Sequence, residues 1–161
     1  MRNKKALFLT QSAMIAALYV VLTLLANAFG LANYAIQVRF SEALTILPVF
    51  TPAAIPGLWV GCVLSNIITG CMPLDVVFGS LATLLGAIGT YLLRKYKWAA
   101  VVPPIAANTL IVPFVLSYVY QFEGSIPYFM LTVGAGEIIS CGVLGLILYR
   151  MLEKYKTVLF K

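Results

Sequence analysis

The chain has 161 residues, of which 62% are hydrophobic and 10% are charged, with a formal net charge of +6 and no histidine. Soluble domains carry about 25% charged residues, and several uncharged stretches here reach the roughly 18 residues of a membrane span. The composition therefore excludes an ordinary soluble domain and predicts a single membrane domain over residues 1–161. The missing histidine removes the commonest metal ligand and general base.

Six apolar segments follow one another along the chain, and we predict helices over residues 6–29, 41–50, 53–69, 75–93, 98–120 and 127–149. The first is longer than the roughly 7–15 residues of a signal-peptide core, so we expect it to be retained, although residues 26–28 resemble a cleavage site. The second is short, because Pro48 and Pro52 interrupt an uncharged run that extends from residue 43 to residue 74.

The orientation follows from three clusters of basic residues, near the N-terminus, at residues 94–97 and after Arg150. The positive-inside rule places such clusters in the cytoplasm. With six segments, only Arg39 of the 11 basic residues faces outside, whereas five segments would expose one whole cluster. We therefore predict an all-α integral membrane protein with six transmembrane helices, the second short and proline-interrupted, and cytoplasmic N- and C-termini.

Two polar residues lie deep inside predicted helices. Glu137 is near the middle of the sixth segment, where an ionisable group is costly unless it is paired or hydrated. No basic residue inside another span can pair with it, so we interpret Glu137 as a ligand-binding group; a protonated carboxyl bonded to a neighbouring helix is the alternative. Asn108, at comparable depth, either faces the same cavity or bonds another helix.

The predicted outer mouth carries further candidates. Arg39 and Glu42 are three residues apart, and they either contact ligand or pair with each other to fix the start of the second helix. Asp75 suits a helix N-cap better than a ligand contact. Asn33 and Tyr34, in the first outer loop, are candidate lid residues.

Two pairs of small residues are spaced for close helix packing. Ala13 and Ala17 form A-x-x-x-A in the first segment, for either partner docking or internal packing. Gly57 and Gly61 form G-x-x-x-G, for which internal packing is the better interpretation. The sequence contains no GxxxxGK[ST], HExxH or GxSxG motif and no carboxylates spaced for a metal. It therefore predicts neither an enzyme nor a metal or cofactor site.

Taken together, these features resemble the substrate-binding S component of an energy-coupling factor (ECF) transporter. The resemblance rests on Ala13 and Ala17, on the stretch RFSEALTILPVFTPAAIPGLWVG at residues 39–61, and on the layout of short outer loops with basic inner ends. Among S components, residues 38–61 are most similar to the QueT family, proposed carriers of queuosine precursors.

The resemblance implies a multi-pass protein of the bacterial cell membrane whose partners are a transmembrane coupling subunit and two ABC-type ATPases. Docking would use Ala13 and Ala17, and ATP hydrolysis would belong to the partners. No nucleic acid is implied as a partner. The implied ligand is a 7-deazaguanine such as queuine or its aminomethyl precursor. An S component for another small polar vitamin and a membrane scaffold without ligand are the alternatives.

The chemistry of that ligand suggests roles for the candidates. A deazaguanine presents a ring N–H and an exocyclic amine beside a carbonyl group, so Glu137 could accept both hydrogens and Asn108 could donate to the carbonyl. A cationic aminomethyl group could meet Glu42 or Asp75.

Aromatic residues are candidates for stacking on the flat ring of the ligand. We name Tyr34, Tyr118 and Trp59 for this role, although most tryptophans and tyrosines of this chain suit the membrane interface.

Overall fold

The structure is a computed structural model that describes residues 4–31 and 38–159. Within those two ranges every regular element is helical, which confirms the all-α prediction. In chain order the elements are α1 Lys4–Ala28, a central 3₁₀ helix Phe40–Val49, α2 Ala54–Ile68, α3 Pro73–Leu92, a 3₁₀ turn Ala99–Val101, α4 Val102–Tyr118, α5 Ile126–Glu137, a π-helical segment Ile138–Leu144, α6 Gly145–Glu153 and α7 Lys156–Leu159.

Four helical stretches are long and apolar enough to cross a membrane, namely Lys4–Ala28, Pro73–Leu92, Ala99–Tyr118 and Ile126–Glu153. The central 3₁₀ helix and α2 are apolar but shorter. At about 2.0 Å per residue for a 3₁₀ helix and about 1.5 Å for an α-helix, they extend roughly 20 and 22 Å, against a hydrocarbon core of about 30 Å. The described residues therefore contain four candidate spans and two shorter apolar helices.

The central 3₁₀ helix lies inside the bundle. All residues from Ser41 to Pro48 are buried, and the helix packs against α1, α3, α6 and the π-helical segment. Pro48 inside the helix and Pro52 just after it limit regular α-helical hydrogen bonding. Because 3₁₀ runs longer than about four residues are uncommon and often mark functional or strained sites, this element is a candidate position for functional side chains.

α1 and α2 approach each other closely through the two glycines of α2. A Cβ atom at Gly57 would lie 2.7 Å from the backbone oxygen of Ser12, and one at Gly61 would lie 2.7 Å from the Cβ of Tyr19. No side chain fits at either position, so the interpretation of G-x-x-x-G as internal packing is confirmed. The close approach holds Tyr19, which is 1% exposed, in the centre of the bundle.

The two ends of the bundle differ in charge. The beginning of α1, the turn after α3 and the end of α6 carry the basic clusters, and these three positions lie at one end of the alternating helices. Of the five acidic residues of the chain, only Glu153 is at that end. The other four lie in the half that contains the C-terminus of α1 and the N-termini of α3 and α5.

Candidate functional site

Three polar side chains from separate elements meet inside the bundle. Glu42 from the central 3₁₀ helix, Asn108 from α4 and Glu137 from the end of α5 are 1%, 4% and 7% exposed. The Asn108 amide donates to Glu42 Oε2 over a long 3.5 Å, and it also interacts with Glu137. We call these three residues the buried carboxylate cluster. Glu137 lies about 17 Å along α5 from Ile126, at about 1.5 Å per residue, and so near the middle of a bilayer core of about 30 Å.

The protein itself supplies hydrogen-bond donors to both carboxylates. The Tyr19 hydroxyl donates to Glu42 Oε1, and the Cys141 thiol donates to Glu137 Oε2 at 3.1 Å. Both Glu42 oxygens therefore have protein partners, and the Cys141 thiol bonds Oε2 of Glu137. Tyr19 and Cys141 were not predicted as site residues from the sequence. The i, i+4 spacing of Glu137 and Cys141 was a usable signal, but Tyr19 and Glu42 meet only through tertiary packing.

A change of helix type occurs at the cluster. The π-helical segment begins directly after Glu137 and contains Ser140 and Cys141. Single-turn π-helical segments inside α-helices occur frequently at functional sites. Ser140 also accepts a hydrogen bond at 3.2 Å from the backbone N–H of Arg39, so the segment fixes the start of the central 3₁₀ helix against α5.

A cavity of about 620 Å³ lies at the acidic end of the bundle. This volume falls within the roughly 300–1,000 Å³ typical of small-molecule sites. Val112 lines the cavity and is one helical turn, about 6 Å, from Asn108, so the buried carboxylate cluster lies about one turn below the cavity. The aromatic and polar side chains that line it include Thr23, Asn27, Arg39, Asn66, Asp75, Tyr120, Phe122, Glu123, Tyr128 and Phe129.

Asp75 faces the cavity from the first turn of α3. The N-cap of α3 is Met72, followed by Pro73 at the first helical position, a place that suits proline. The prediction of Asp75 as the N-cap is therefore wrong. Its Oδ2 atom accepts a hydrogen bond of 2.7 Å from the Tyr120 hydroxyl. Burial, together with this bond, raises the pKa of the Tyr120 phenol, so the phenol remains a donor well above neutral pH.

Arg39 is half-buried on the cavity wall and interacts electrostatically with both Asp75 and Glu42. The prediction that Glu42 lies at the entrance of the site is wrong, since its side chain is buried next to Asn108. Glu42 follows Arg39 by three residues, one turn of the central 3₁₀ helix, and this turn places Glu42 in the interior while Arg39 stays on the cavity wall. The structure thus leaves Arg39 at the cavity and assigns Glu42 to the deeper group.

The remaining candidates lie elsewhere. Trp59 is 42% and Tyr118 70% exposed, and neither lines the cavity. α2 turns Leu58 and Cys62 inward and Trp59 outward, while Tyr118 stacks on Phe114 on the outer face of α4. The predicted lid residues 33 and 34 lie outside the described residues.

The two carboxylates of the buried carboxylate cluster, together with the neighbouring Cys141, form a set of side chains that metals accept. One ligand atom each of Glu42, Glu137 and Cys141 lies within 4.8 Å of the others. This set was not predicted from the sequence, because residues 42 and 137 are far apart in the chain. The same carboxylates equally suit a ligand that presents several N–H donors, so the cluster alone does not select a metal.

Comparison with known proteins decides the family. The profile described as QueT transporter matches residues 9–154, nearly the whole chain. The chain belongs to the QueT transporter family. It is similar to a protein named "Queuosine precursor transporter QueT" from Lactococcus lactis subsp. cremoris (strain MG1363), with 32% identity over 98 residues, which cover 60% of this chain and 57% of that relative. No solved structure matches the chain.

Family membership agrees with the apolar helices of the fold. QueT is a transporter family and not an enzyme family, and four helices within residues 4–31 and 38–159 are long and apolar enough to span a membrane. The protein is therefore a multi-pass membrane protein of a transporter family. Its alignment with the curated relative spans little more than half of that protein's length.

Proposed function

We propose that the chain is the substrate-binding S component of an ECF-type importer that takes up a queuosine precursor through the bacterial cell membrane. The observation that carries the proposal is the buried carboxylate cluster directly below a cavity of about 620 Å³. Family membership and the name of the Lactococcus relative support the ligand class. The chain would bind the ligand, and partner ATPases would supply the energy.

The cluster matches the hydrogen-bonding edge of a 7-deazaguanine. The ring N–H and the exocyclic amine are adjacent donors, and a carboxylate accepts two such donors in a paired arrangement. Glu42 accepts from the Tyr19 hydroxyl and the Asn108 amide, whereas the Cys141 thiol that bonds Glu137 is a weak donor, so Glu137 is the better ligand acceptor. Asn108, whose amide reaches both carboxylates, would be positioned to donate to the ligand carbonyl.

The cavity walls supply surfaces for the flat ring. Tyr128 and Phe129, at the start of α5, and Tyr120 and Phe122, in the loop before it, line the cavity. Tyr120 and Phe122 stack with ring centroids 5.6 Å apart. We propose that these rings, rather than Trp59 or Tyr118, stack on the deazaguanine, because aromatic faces favour offset stacking on planar groups.

The proposed orientation has six membrane segments and cytoplasmic termini, so that the acidic cavity opens outside and the basic end faces the cytoplasm. The positive-inside rule supports this arrangement. The two shorter helices would then cross only part of the bilayer on their own, with the central 3₁₀ helix inside the bundle and α2 at its outer surface, where Trp59 is exposed.

Ala13 and Ala17 are both exposed on α1, opposite the buried face of Ser12, Ile15 and Tyr19. Small exposed residues four apart allow a partner helix to approach closely. We propose that this face docks on the transmembrane coupling subunit of the importer, which in turn carries two ABC-type ATPases.

Reconstituted transport tests the proposal. The chain, the coupling subunit and both ATPases in liposomes should accumulate labelled queuine only with ATP, and not thiamine or riboflavin. Ala13→Leu with Ala17→Leu should abolish uptake while the purified variant still binds queuine. Ala106→Leu, the same change at an exposed position of α4, should leave uptake intact. Uptake of another vitamin instead of queuine, or no ligand-dependent rise in melting temperature, would contradict the proposed function.

A further inference from the structure

The acidic end of the bundle has more negative than positive groups. Asp75 and Glu123 line the cavity, and Glu42 and Glu137 lie just below it. Among the described residues, Arg39 is the single basic residue in this half of the bundle, and it interacts with both Asp75 and Glu42. The acidic end thus holds one guanidinium and four carboxyl groups. Because partly desolvated carboxylates are costly without a positive partner, the site suits a ligand that brings a positive charge.

Among these acids, Asp75 has a carboxylate that is already oriented to bind a positive charge. It is 7% exposed, and its Oδ2 atom is oriented by the Tyr120 hydroxyl at 2.7 Å. The Tyr120 oxygen in turn accepts from the backbone N–H of Met72 at 3.3 Å. The other carboxylate oxygen lies beside Gly79, where an added Cβ would be 3.3 Å from Asp75 Oδ1 and 3.3 Å from the Asn66 amide nitrogen. The glycine therefore leaves space around an already oriented carboxylate.

The shape of a 7-deazaguanine places its 7-substituent on the side of the base that faces the cavity and Asp75. The donor edge and the 7-position lie on different rings of the bicycle, on roughly opposite sides. With the donor edge toward Glu137, below the cavity, the 7-substituent extends into the cavity, whose wall includes Asp75. A volume of about 620 Å³ leaves room beyond the base for that substituent.

Building on the proposed function, we propose that Asp75, oriented by Tyr120, binds the ammonium group of a 7-aminomethyl substituent. The protein then selects queuosine precursors that carry this cation, the aminomethyl base and queuine, over the neutral nitrile precursor and the unsubstituted base. Asp75 thereby determines specificity, while Glu137 and Asn108 hold the deazaguanine base that all these precursors share.

Calorimetric titration of the purified full-length protein tests the selection with four compounds: 7-aminomethyl-7-deazaguanine, queuine, 7-cyano-7-deazaguanine and 7-deazaguanine. The wild type should bind the two amines at least about tenfold more tightly than the two neutral compounds, since a hydrogen bond to a charged group contributes about 1.5–3 kcal/mol and 1.4 kcal/mol is tenfold. Asp75→Asn should remove that preference and change the affinity for the neutral compounds less than about twofold. Glu153→Gln, at the opposite end, should behave as the wild type.

Tyr120→Phe provides a second variant, because it keeps the ring and removes only the hydroxyl that orients Asp75. It should weaken binding of the amines selectively and by less than Asp75→Asn does. Equal wild-type affinity for amine and nitrile, or equal losses for both in Asp75→Asn, would overturn the selection while leaving the proposed function in place. Absence of wild-type binding to all four compounds would overturn both.

Discussion

Replacing Glu137 with glutamine separates ligand binding from stability in the buried carboxylate cluster. The change keeps the size of the side chain but substitutes an N–H donor for one of two acceptor oxygens, and that donor would face the N–H groups of the proposed ligand. A hydrogen bond to a charged group contributes about 1.5–3 kcal/mol, so Glu137→Gln should weaken deazaguanine binding about 10- to 150-fold. The glutamine oxygen can still accept from the Cys141 thiol, now at 3.1 Å, so the fold should persist.

Glu42→Gln is the matched comparison in the same cluster. Tyr19 and Asn108 both donate to Glu42, and a glutamine would direct a donor at one of them. A buried donor without an acceptor costs about 1–3 kcal/mol, so this variant should lose more stability than Glu137→Gln. Titration calorimetry and thermal unfolding in detergent measure the two effects, with Glu153→Gln as control. Near wild-type affinity in a folded Glu137→Gln protein would refute the assignment of Glu137 as the ligand acceptor.

Three further predictions address packing, orientation and the cluster's internal bonds. Gly61→Ala should lower the unfolding free energy by about 1–3 kcal/mol, because the new Cβ would lie 2.7 Å from the Cβ of Tyr19. Gly142→Ala is the control and should leave stability unchanged, since the nearest contact of its Cβ would be 3.8 Å away. Equal melting temperatures of the two variants would contradict close α1–α2 packing. Cys71 lines the cavity and is half-buried, while Cys62 and Cys141 are buried, so a membrane-impermeant maleimide should label one cysteine on intact cells, more slowly with queuine present. Labelling only after the cells are permeabilised would contradict the proposed orientation of the cavity toward the outside. Tyr19→Phe removes a donor to buried Glu42 and should lower the unfolding free energy by about 1–3 kcal/mol; an unchanged unfolding curve would show that this bond contributes nothing to stability.

The sequence predicted the helical class because apolar runs bounded by charges and prolines are local signals. The depth of Glu137 and Asn108 followed in the same way, from their distance to the ends of their segments. The 3₁₀ geometry of residues 40–49 did not follow, since it depends on packing against α1, α3 and α6. For that reason Glu42 was expected at the mouth and lies in the interior.

Contacts between residues far apart in the sequence could not be predicted either. Nothing local connects Tyr19 to Glu42 or Asp75 to Tyr120, because each pair depends on how two helices rotate toward each other. The rotation of α2 and α4 about their axes likewise explains why Trp59 and Tyr118 lie on the outer surface and not in the cavity. An aromatic residue in an apolar helix can face lipid or cavity, and only the packing of the helix decides between them.

Titration of the purified wild-type protein with queuine and 7-aminomethyl-7-deazaguanine is the decisive test of the proposed ligand. We expect saturable binding at one site per chain, lost in large part in Glu137→Gln. Saturable binding of thiamine, folate or riboflavin with no binding of either deazaguanine would contradict it.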